Sequence, residues 1–131
     1  MALSLSKLQA ALKKGVNAFK ADKRCKVSVT KPDKVSKMVL ATIDLDGVYG
    51  VSSSLMVCAT TDRISSFEMH IHKTLLVNEN DFNYKHKLFF HKSGTSYKHN
   101  NYICFESNLT ELLKAYADYM LNGDFYKAIR G

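Results

Sequence analysis

The spacing of apolar residues changes twice along this chain, and this change constrains the fold more than any other feature of the sequence. Apolar residues recur at steps of three and four from Leu5 to Phe19, which predicts one face of an amphipathic helix with Ser4 as its N-cap. In the middle of the chain they alternate with polar residues, as they do in half-buried strands. Helical spacing returns from Leu109 onward. The order is therefore helix, strands, helix.

This order predicts the α+β class, with residues 1–131 forming one domain. An antiparallel sheet of five or six strands would carry the N-terminal and C-terminal helices on one face, because both apolar helix faces then become buried. Gly15 falls near the edge of the first helix's apolar face, where a small residue predicts close approach of another element.

Local signals place several element boundaries. Val27 and Val29 predict a short first strand that Pro32 ends, because proline cannot donate to a sheet ladder. Asp46-Gly47 predicts a two-residue hairpin turn, with the next strand beginning at Val48. Two further strands are expected, at 84–91 and 97–106.

The C-terminal helix has end signals of its own. Asn108 is the predicted N-cap, with Glu111 three residues later as in a capping box. Asn122-Gly123 predicts the end of that helix, and Asp124 would cap one last turn.

The positive charge is concentrated at one end of the chain. Residues 1–40 contain ten Lys and Arg but only two acids, a net charge of +8, whereas residues 41–131 have a net charge of −1. Such asymmetry predicts a polyanionic or acidic partner for a basic N-terminal segment. Because nearly all of these cations are lysines, diffuse attraction to phosphate is favoured over base readout by arginine.

The predicted binding residues fall in two groups. The first contains four lysines outside the apolar helix face and three in the segment that follows the first strand. The second lies in a later hairpin where aromatic and basic residues interleave, as in surfaces that bind single-stranded nucleic acid, although ordinary strand decoration explains that mixture as well. The candidates are Lys7, Lys13, Lys14, Lys20, Lys31, Lys34 and Lys37, followed by Lys85, Lys87 and His91.

The cysteines and the N-terminus give an expected location. Cys25, Cys58 and Cys104 are odd in number and widely separated, which argues against a disulfide framework and against a thiolate zinc site. We expect reduced thiols in a cytoplasmic protein. No signal peptide and no apolar run of roughly 20 residues is apparent, so no membrane partner is expected.

One cluster suggests metal chemistry. Glu68, His70 and His72 share a strand face by alternation, and two imidazoles with one carboxylate could bind zinc and leave a position open for water. A solvated strand face accounts for the same spacing, and we favour that interpretation. No metal and no cofactor is therefore predicted.

Nucleophile motifs and phosphate-binding glycine loops are missing from the sequence. The favoured hypothesis is a small non-catalytic protein that binds nucleic acid through its lysines. The alternative is a protein-binding inhibitor or adaptor, of the accessory type found in viruses and mobile elements, that uses the same basic face on an acidic partner. A second alternative is a small nuclease or metal-dependent hydrolase.

Overall fold

The architecture is an antiparallel sheet flanked on one face by the terminal helices, which confirms the predicted α+β class. The computed structural model describes residues 3–72, 91–93, 96–99, 102–103 and 106–130. The helices are α1 (Leu5–Lys20), α2 (Asp46–Tyr49), α3 (Glu106–Leu121) and α4 (Asp124–Arg130). The strands are β1 (Lys26–Val29), β2 (Met38–Asp44), β3 (Ser53–Thr60), β4 (Arg63–Ile71), β5 (His91–Ser93), β6 (Ser96–His99) and β7 (Tyr102–Ile103).

The strands follow the order β1-β2-β3-β4-β6-β5, so β1 forms one edge of the sheet. The short β7 pairs with the beginning of β4, where Arg63 lies opposite Ile103, while β6 pairs with the later part of the same strand. The described sheet is thus six strands wide, within the predicted five or six. Every described pairing between these strands is antiparallel.

Side chains alternate across the central strands as the sequence predicted. In β2 and β3, alternate residues such as Val39, Ile43, Leu55 and Val57 are fully buried, while the residues between them are half-buried. The buried residues face the helices. Phe67 of β4 stacks on Tyr116 of α3, with ring centroids 4.5 Å apart. The core therefore lies between one face of the sheet and the terminal helices.

The N-terminal helix matches its prediction closely. Ser4 caps α1, since its side-chain oxygen accepts a hydrogen bond from the backbone N–H of Lys7. Leu8, Leu12 and Phe19 are completely buried. Helix α1 also packs along α3, where Thr110 donates a hydrogen bond to the backbone oxygen of Ala11 over 3.4 Å. Both helices consequently cover the same face of the sheet.

The predicted hairpin at Asp46-Gly47 is wrong. Residues 46–49 form the one-turn helix α2, and the following strand begins at Ser53 instead of Val48. Tertiary burial explains the difference, because Val48 and Tyr49 both pack into the core. The Tyr49 hydroxyl donates to the backbone oxygen of Met120 over 2.6 Å. Gly50 then ends the turn in the left-handed conformation, with φ of 77°.

The two N-caps predicted for the C-terminal helices, Asn108 and Asp124, also differ from the structure. Helix α3 begins at Glu106, so Asn108 lies in its first turn and does not cap it. Asp124 is the first residue of α4, where an acidic side chain favours the helix dipole. The N–H of Lys127 donates to the oxygen of Gly123. The predicted end of α3 before Asn122-Gly123 is confirmed. Of the strand expected at 84–91, only His91 belongs to the described residues, where it begins β5. The strand expected at 97–106 includes parts of β6 and β7, but its predicted end is wrong because Glu106 begins α3.

Candidate binding site on the basic surface

The four lysines of α1 are all exposed, in two rows on opposite flanks of the buried helix face. Lys13 and Lys20 are seven residues apart and therefore form one row, and Lys7 and Lys14 form the other. At 3.6 residues per turn the two rows lie about 120° apart around the helix axis. The sequence had identified all four lysines, and the fold separates them into two different environments.

The row of Lys13 and Lys20 faces the edge strand β1. Together with Asn17 and three valines, these lysines line a groove between α1 and β1 with a volume of about 310 Å³. The valines are Val16, Val27 and Val29. Val16 is buried, whereas Val27 and Val29 are only half-buried because no element on the far side of β1 covers them among the described residues. The groove thus has an apolar floor and a basic rim.

The connection between β1 and β2 continues this basic surface. Lys31, Lys34 and Lys37 are exposed there, as predicted. Gln9 of α1 donates from Nε2 to the backbone oxygen of Thr30 over 3.1 Å, which holds the start of the connection, and hence Lys31, beside the helix. Helix α1 and the β1–β2 connection therefore belong to one continuous surface.

The tip of this connection has a defined local structure. The carboxylate of Asp33 accepts hydrogen bonds from the backbone N–H groups of Val35 and Ser36, and these bonds hold the pKa of that carboxyl below its usual value. Lys37 takes a left-handed conformation with φ of 54°. Val35 projects into solvent with 93% exposure. Lys34 and Lys37 are thus presented on an ordered turn.

The single arginine of the basic segment has a structural position. Arg24 pairs with Asp22, Nη2 to Oδ2 over 2.7 Å, and its Nη2 also donates to the backbone oxygen of Leu121. Its guanidinium lies 5.3 Å from the ring centroid of Tyr126. Hydrogen bonding from Arg24 lowers the pKa of the Asp22 carboxyl. Arg24 therefore fastens the end of α1 to α3 and α4 and contributes little to a binding surface.

Both acids of the basic segment are consequently engaged, Asp22 with Arg24 and Asp33 with backbone amides. Within the residues that the structure describes, no ion pair joins any lysine of residues 7–37 to a carboxylate. The lysine charges on this surface are therefore available to an anionic partner.

Of the second predicted group, Lys85, Lys87 and His91, the structure describes only His91. Lys85 and Lys87 lie outside the described residues, and His91 begins β5 at the far edge of the sheet, opposite Lys98. Strand β5 and strand β1 are at opposite ends of the strand order. The structure therefore does not bring His91 next to the α1 lysines.

The histidine cluster is only partly assembled. Glu68 and His70 lie on one strand face, with Oε2 and Nε2 separated by 3.0 Å, and His72 is exposed just beyond the end of β4. Across the described part of the chain, no three His, Cys, Asp or Glu side chains form a group that could hold a metal ion. A metal centre at Glu68, His70 and His72 is thus not supported by the geometry of that region.

The groove was not identified from the sequence. Its lysines stood out and Val27 and Val29 predicted a strand, but the sequence did not show that this strand is an edge strand that forms a groove with α1. No protein-family model matches this chain, and no curated protein or solved structure resembles it significantly. No described helix has both the length and the apolar character needed to cross a bilayer.

Proposed function

We propose that this protein is a small non-catalytic binding protein that engages nucleic acid through the lysines of α1 and of the β1–β2 connection. The observation that supports the proposal is the exposure of these lysines without carboxylate partners among the described residues, in a segment of net charge +8. Each lysine that neutralises a phosphate releases a condensed counterion, which favours binding.

The side chains on this surface fit phosphate better than base edges. Lysine is a mobile point charge, and the one arginine of this segment that could make a planar, bidentate contact is held by Asp22 and Leu121. The proposed binding is therefore electrostatic and has little sequence preference. Lys13, Lys20 and Lys31 lie on one side of α1, so this side is the proposed centre of the contact.

Fluorescence anisotropy with labelled single-stranded and double-stranded oligonucleotides tests this function. We expect the logarithm of the association constant to fall linearly with the logarithm of salt concentration, with a slope of about −0.9 for each phosphate contacted in duplex DNA. The double substitution K31E/K34E should lower the affinity at least about tenfold and make the slope shallower by about 2.

The matched control is K114E/K127E, which makes the same change in charge at two exposed lysines of α3 and α4. It should retain most of the affinity, because Lys114 and Lys127 belong to α3 and α4 and not to the proposed contact on α1 and the β1–β2 connection. Absence of binding at low salt, or an equal loss in both double variants, would contradict the proposal.

A second candidate function is binding of an acidic protein, and the groove between α1 and β1 favours it. An apolar floor of valines suits a partner that buries apolar surface, which a phosphate backbone does not provide. A protein partner would give a weaker dependence on salt than nucleic acid does.

A further inference from the structure

The free edge of β1 and the adjoining groove offer three complementary features at one place. They are backbone groups that no described strand pairs with, an apolar floor and a basic rim. Edge strands commonly carry lysine because it discourages pairing with other chains. Strand β1 carries one such lysine, Lys26, while two more, Lys13 and Lys20, come from α1 and lie along the groove between α1 and β1. This arrangement discriminates between partners by their charge.

The hydrogen-bond pattern identifies which backbone groups of β1 are available. Thr30 lies opposite Leu40, and its N–H donates to the Leu40 oxygen over 2.8 Å. Antiparallel ladders alternate between hydrogen-bonded and non-bonded pairs. Ser28, opposite Thr42, therefore points its backbone groups toward β2. The N–H and C=O groups of Val27 and Val29 point away from the sheet.

The side chains of Val27 and Val29 also form part of the floor of the groove. A segment that paired with the outer edge of β1 would therefore lie alongside α1, beneath Lys13 and Lys20. Its backbone would satisfy both the donors and the acceptors of Val27 and Val29, as in strand addition to an exposed sheet edge. A phosphate backbone has acceptors only and would leave the β1 carbonyls unmatched.

Charge selects the type of segment. A glutamate that faces the groove can lay its methylene groups on the valines and direct its carboxylate to a lysine. A second copy of this chain is disfavoured, because two identical edges would bring Lys13, Lys20 and Lys26 of both copies together. Like charges at close range suppress such pairing.

We propose that the α1–β1 groove is a docking site for an extended acidic peptide segment of a partner protein, which adds to β1 as an antiparallel or parallel strand while its carboxylates pair with Lys13 and Lys20. This site goes beyond the proposed nucleic-acid binding and does not depend on it.

The test uses the full chain and a synthetic seven-residue peptide of alternating glutamate and valine, with blocked ends. Titration calorimetry measures its affinity, and amide hydrogen exchange reports its position. In the free protein, the amides of Val27 and Val29 should exchange faster than the amide of Ser28. The peptide should slow exchange at Val27 and Val29, because those amides acquire carbonyl partners only through strand addition.

Two peptide controls separate backbone pairing from charge. A version of the peptide that is N-methylated at alternate residues keeps its carboxylates but cannot pair along one edge, and it should bind at least about tenfold more weakly. A peptide with lysine in place of glutamate should not bind. Equal affinity for the N-methylated peptide would overturn the proposal, since it would show attraction without strand addition.

Two protein variants locate the site. K13E/K20E reverses the charge of the groove rim, whereas K7E/K14E makes the same change on the opposite flank of α1. The first should lower peptide affinity at least about tenfold, and the second should change it by less than about threefold. Val27→Pro removes an outward-facing N–H without removing a ladder bond and should also weaken binding.

An equal loss of affinity in K13E/K20E and K7E/K14E, or no change in exchange at Val27 and Val29 with saturating peptide, would overturn the proposal. Lys13 and Lys20 are proposed to contribute to both functions, so K13E/K20E is expected to weaken both. The oligonucleotide and peptide measurements on the wild-type protein, with the N-methylated peptide as control, keep the two functions distinct. If the peptide does not bind while the oligonucleotide still does, only the proposed docking site in the groove is refuted. The reverse result refutes only nucleic-acid binding.

Discussion

Tyr49 shows how a single side chain can override a local turn signal. Its ring is buried among aromatic residues of α4, 5.9 Å from Phe125 between centroids, and its hydroxyl donates to Met120. Burial raises the pKa of the Tyr49 hydroxyl well above its ordinary value, so the group stays neutral and remains a donor. The tertiary contacts of this one residue favour a helical turn where Asp46-Gly47 favours a hairpin.

At Gly15, in contrast to Tyr49, the structure agrees with the sequence-based prediction. A small residue was expected where another element approaches the first helix closely, and α3 does so there. A Cβ atom at this position would lie 2.6 Å from Cδ1 and 2.9 Å from Cβ of Leu113 in α3. The second of these atoms cannot move away by a simple rotation of the side chain. Residue 15 must therefore be glycine for α1 and α3 to approach as they do.

We predict that Gly15→Ala destabilises the protein. Alanine gains about 1 kcal/mol in helix propensity over glycine. Overpacking a tight contact costs typically 1–3 kcal/mol, so we expect a net loss of roughly 1 kcal/mol, measured by urea unfolding. Leu113→Ala should be less harmful in the Gly15→Ala background than in the wild type, since it removes the Cδ1 and Cγ atoms that crowd residue 15, although the close contact with Cβ of residue 113 remains. An increase in stability with Gly15→Ala would show that the helices can move apart freely.

Among the elements, the link between α1 and β1 determines where the candidate site lies. Arg24 fastens this link to α3 and α4 through Asp22, Leu121 and Tyr126. A Cβ on Gly47 would lie 2.7 Å from the backbone oxygen of Arg24, so α2 also presses against the same link. The position of β1 beside α1 is consequently fixed from several directions.

We predict that the Asp22–Arg24 pair makes stability sensitive to acid. The pKa of Asp22 is lower in the folded protein than its unfolded value near 3.8. Its contribution is therefore fully present above the unfolded pKa and is lost as the pH falls through the folded pKa. Urea unfolding at a series of pH values from about 5 to 2 should show a smaller loss of stability for Asp22→Asn than for the wild type.

Arg24→Met supplies the control for this effect, because the arginine is the first cause of the lowered pKa. In an Arg24→Met background, Asp22→Asn should change the pH dependence much less. An Asp22→Asn effect of the same size in both backgrounds would mean that another group, and not Arg24, stabilises the carboxylate.

At the scale of the whole molecule, one face of the sheet carries the core and the other has half-buried residues such as Met56, Cys58 and Glu68. The core is extensive, with fully buried side chains in α1, in β2 to β4 and in α3 and α4. Because both terminal helices contribute to it, the basic surface on α1 is carried by a rigid part of the fold.

We predict that folding does not depend on a bound metal. A structural zinc site would contribute folding free energy that a chelator removes. Excess EDTA should therefore leave the melting temperature unchanged, and His70→Ala and His72→Ala should each change stability by no more than about 0.5 kcal/mol. Elemental analysis that finds near-stoichiometric zinc in untagged protein, lost in the double variant, would contradict this prediction and favour the hydrolase alternative.

Much of the fold and part of the site could be predicted from the sequence. Helix α1, its Ser4 cap, the strand β1 that stops before Pro32 and the exposure of seven lysines all follow from local periodicity and residue chemistry. Such features depend on neighbours in sequence, and a linear pattern is sufficient to specify them.

Other features were decided only by contacts between residues distant in the chain. The burial of Tyr49 against Met120 produced α2, and Arg24 became a structural residue through Leu121, ninety-seven positions away. The edge position of β1 and its groove with α1 depend on the strand order. Residue chemistry along the chain specifies which positions are apolar, cationic or small. Only the packing of helices on the sheet determined which lysines share a surface, because that arrangement minimises exposed apolar area over the whole chain.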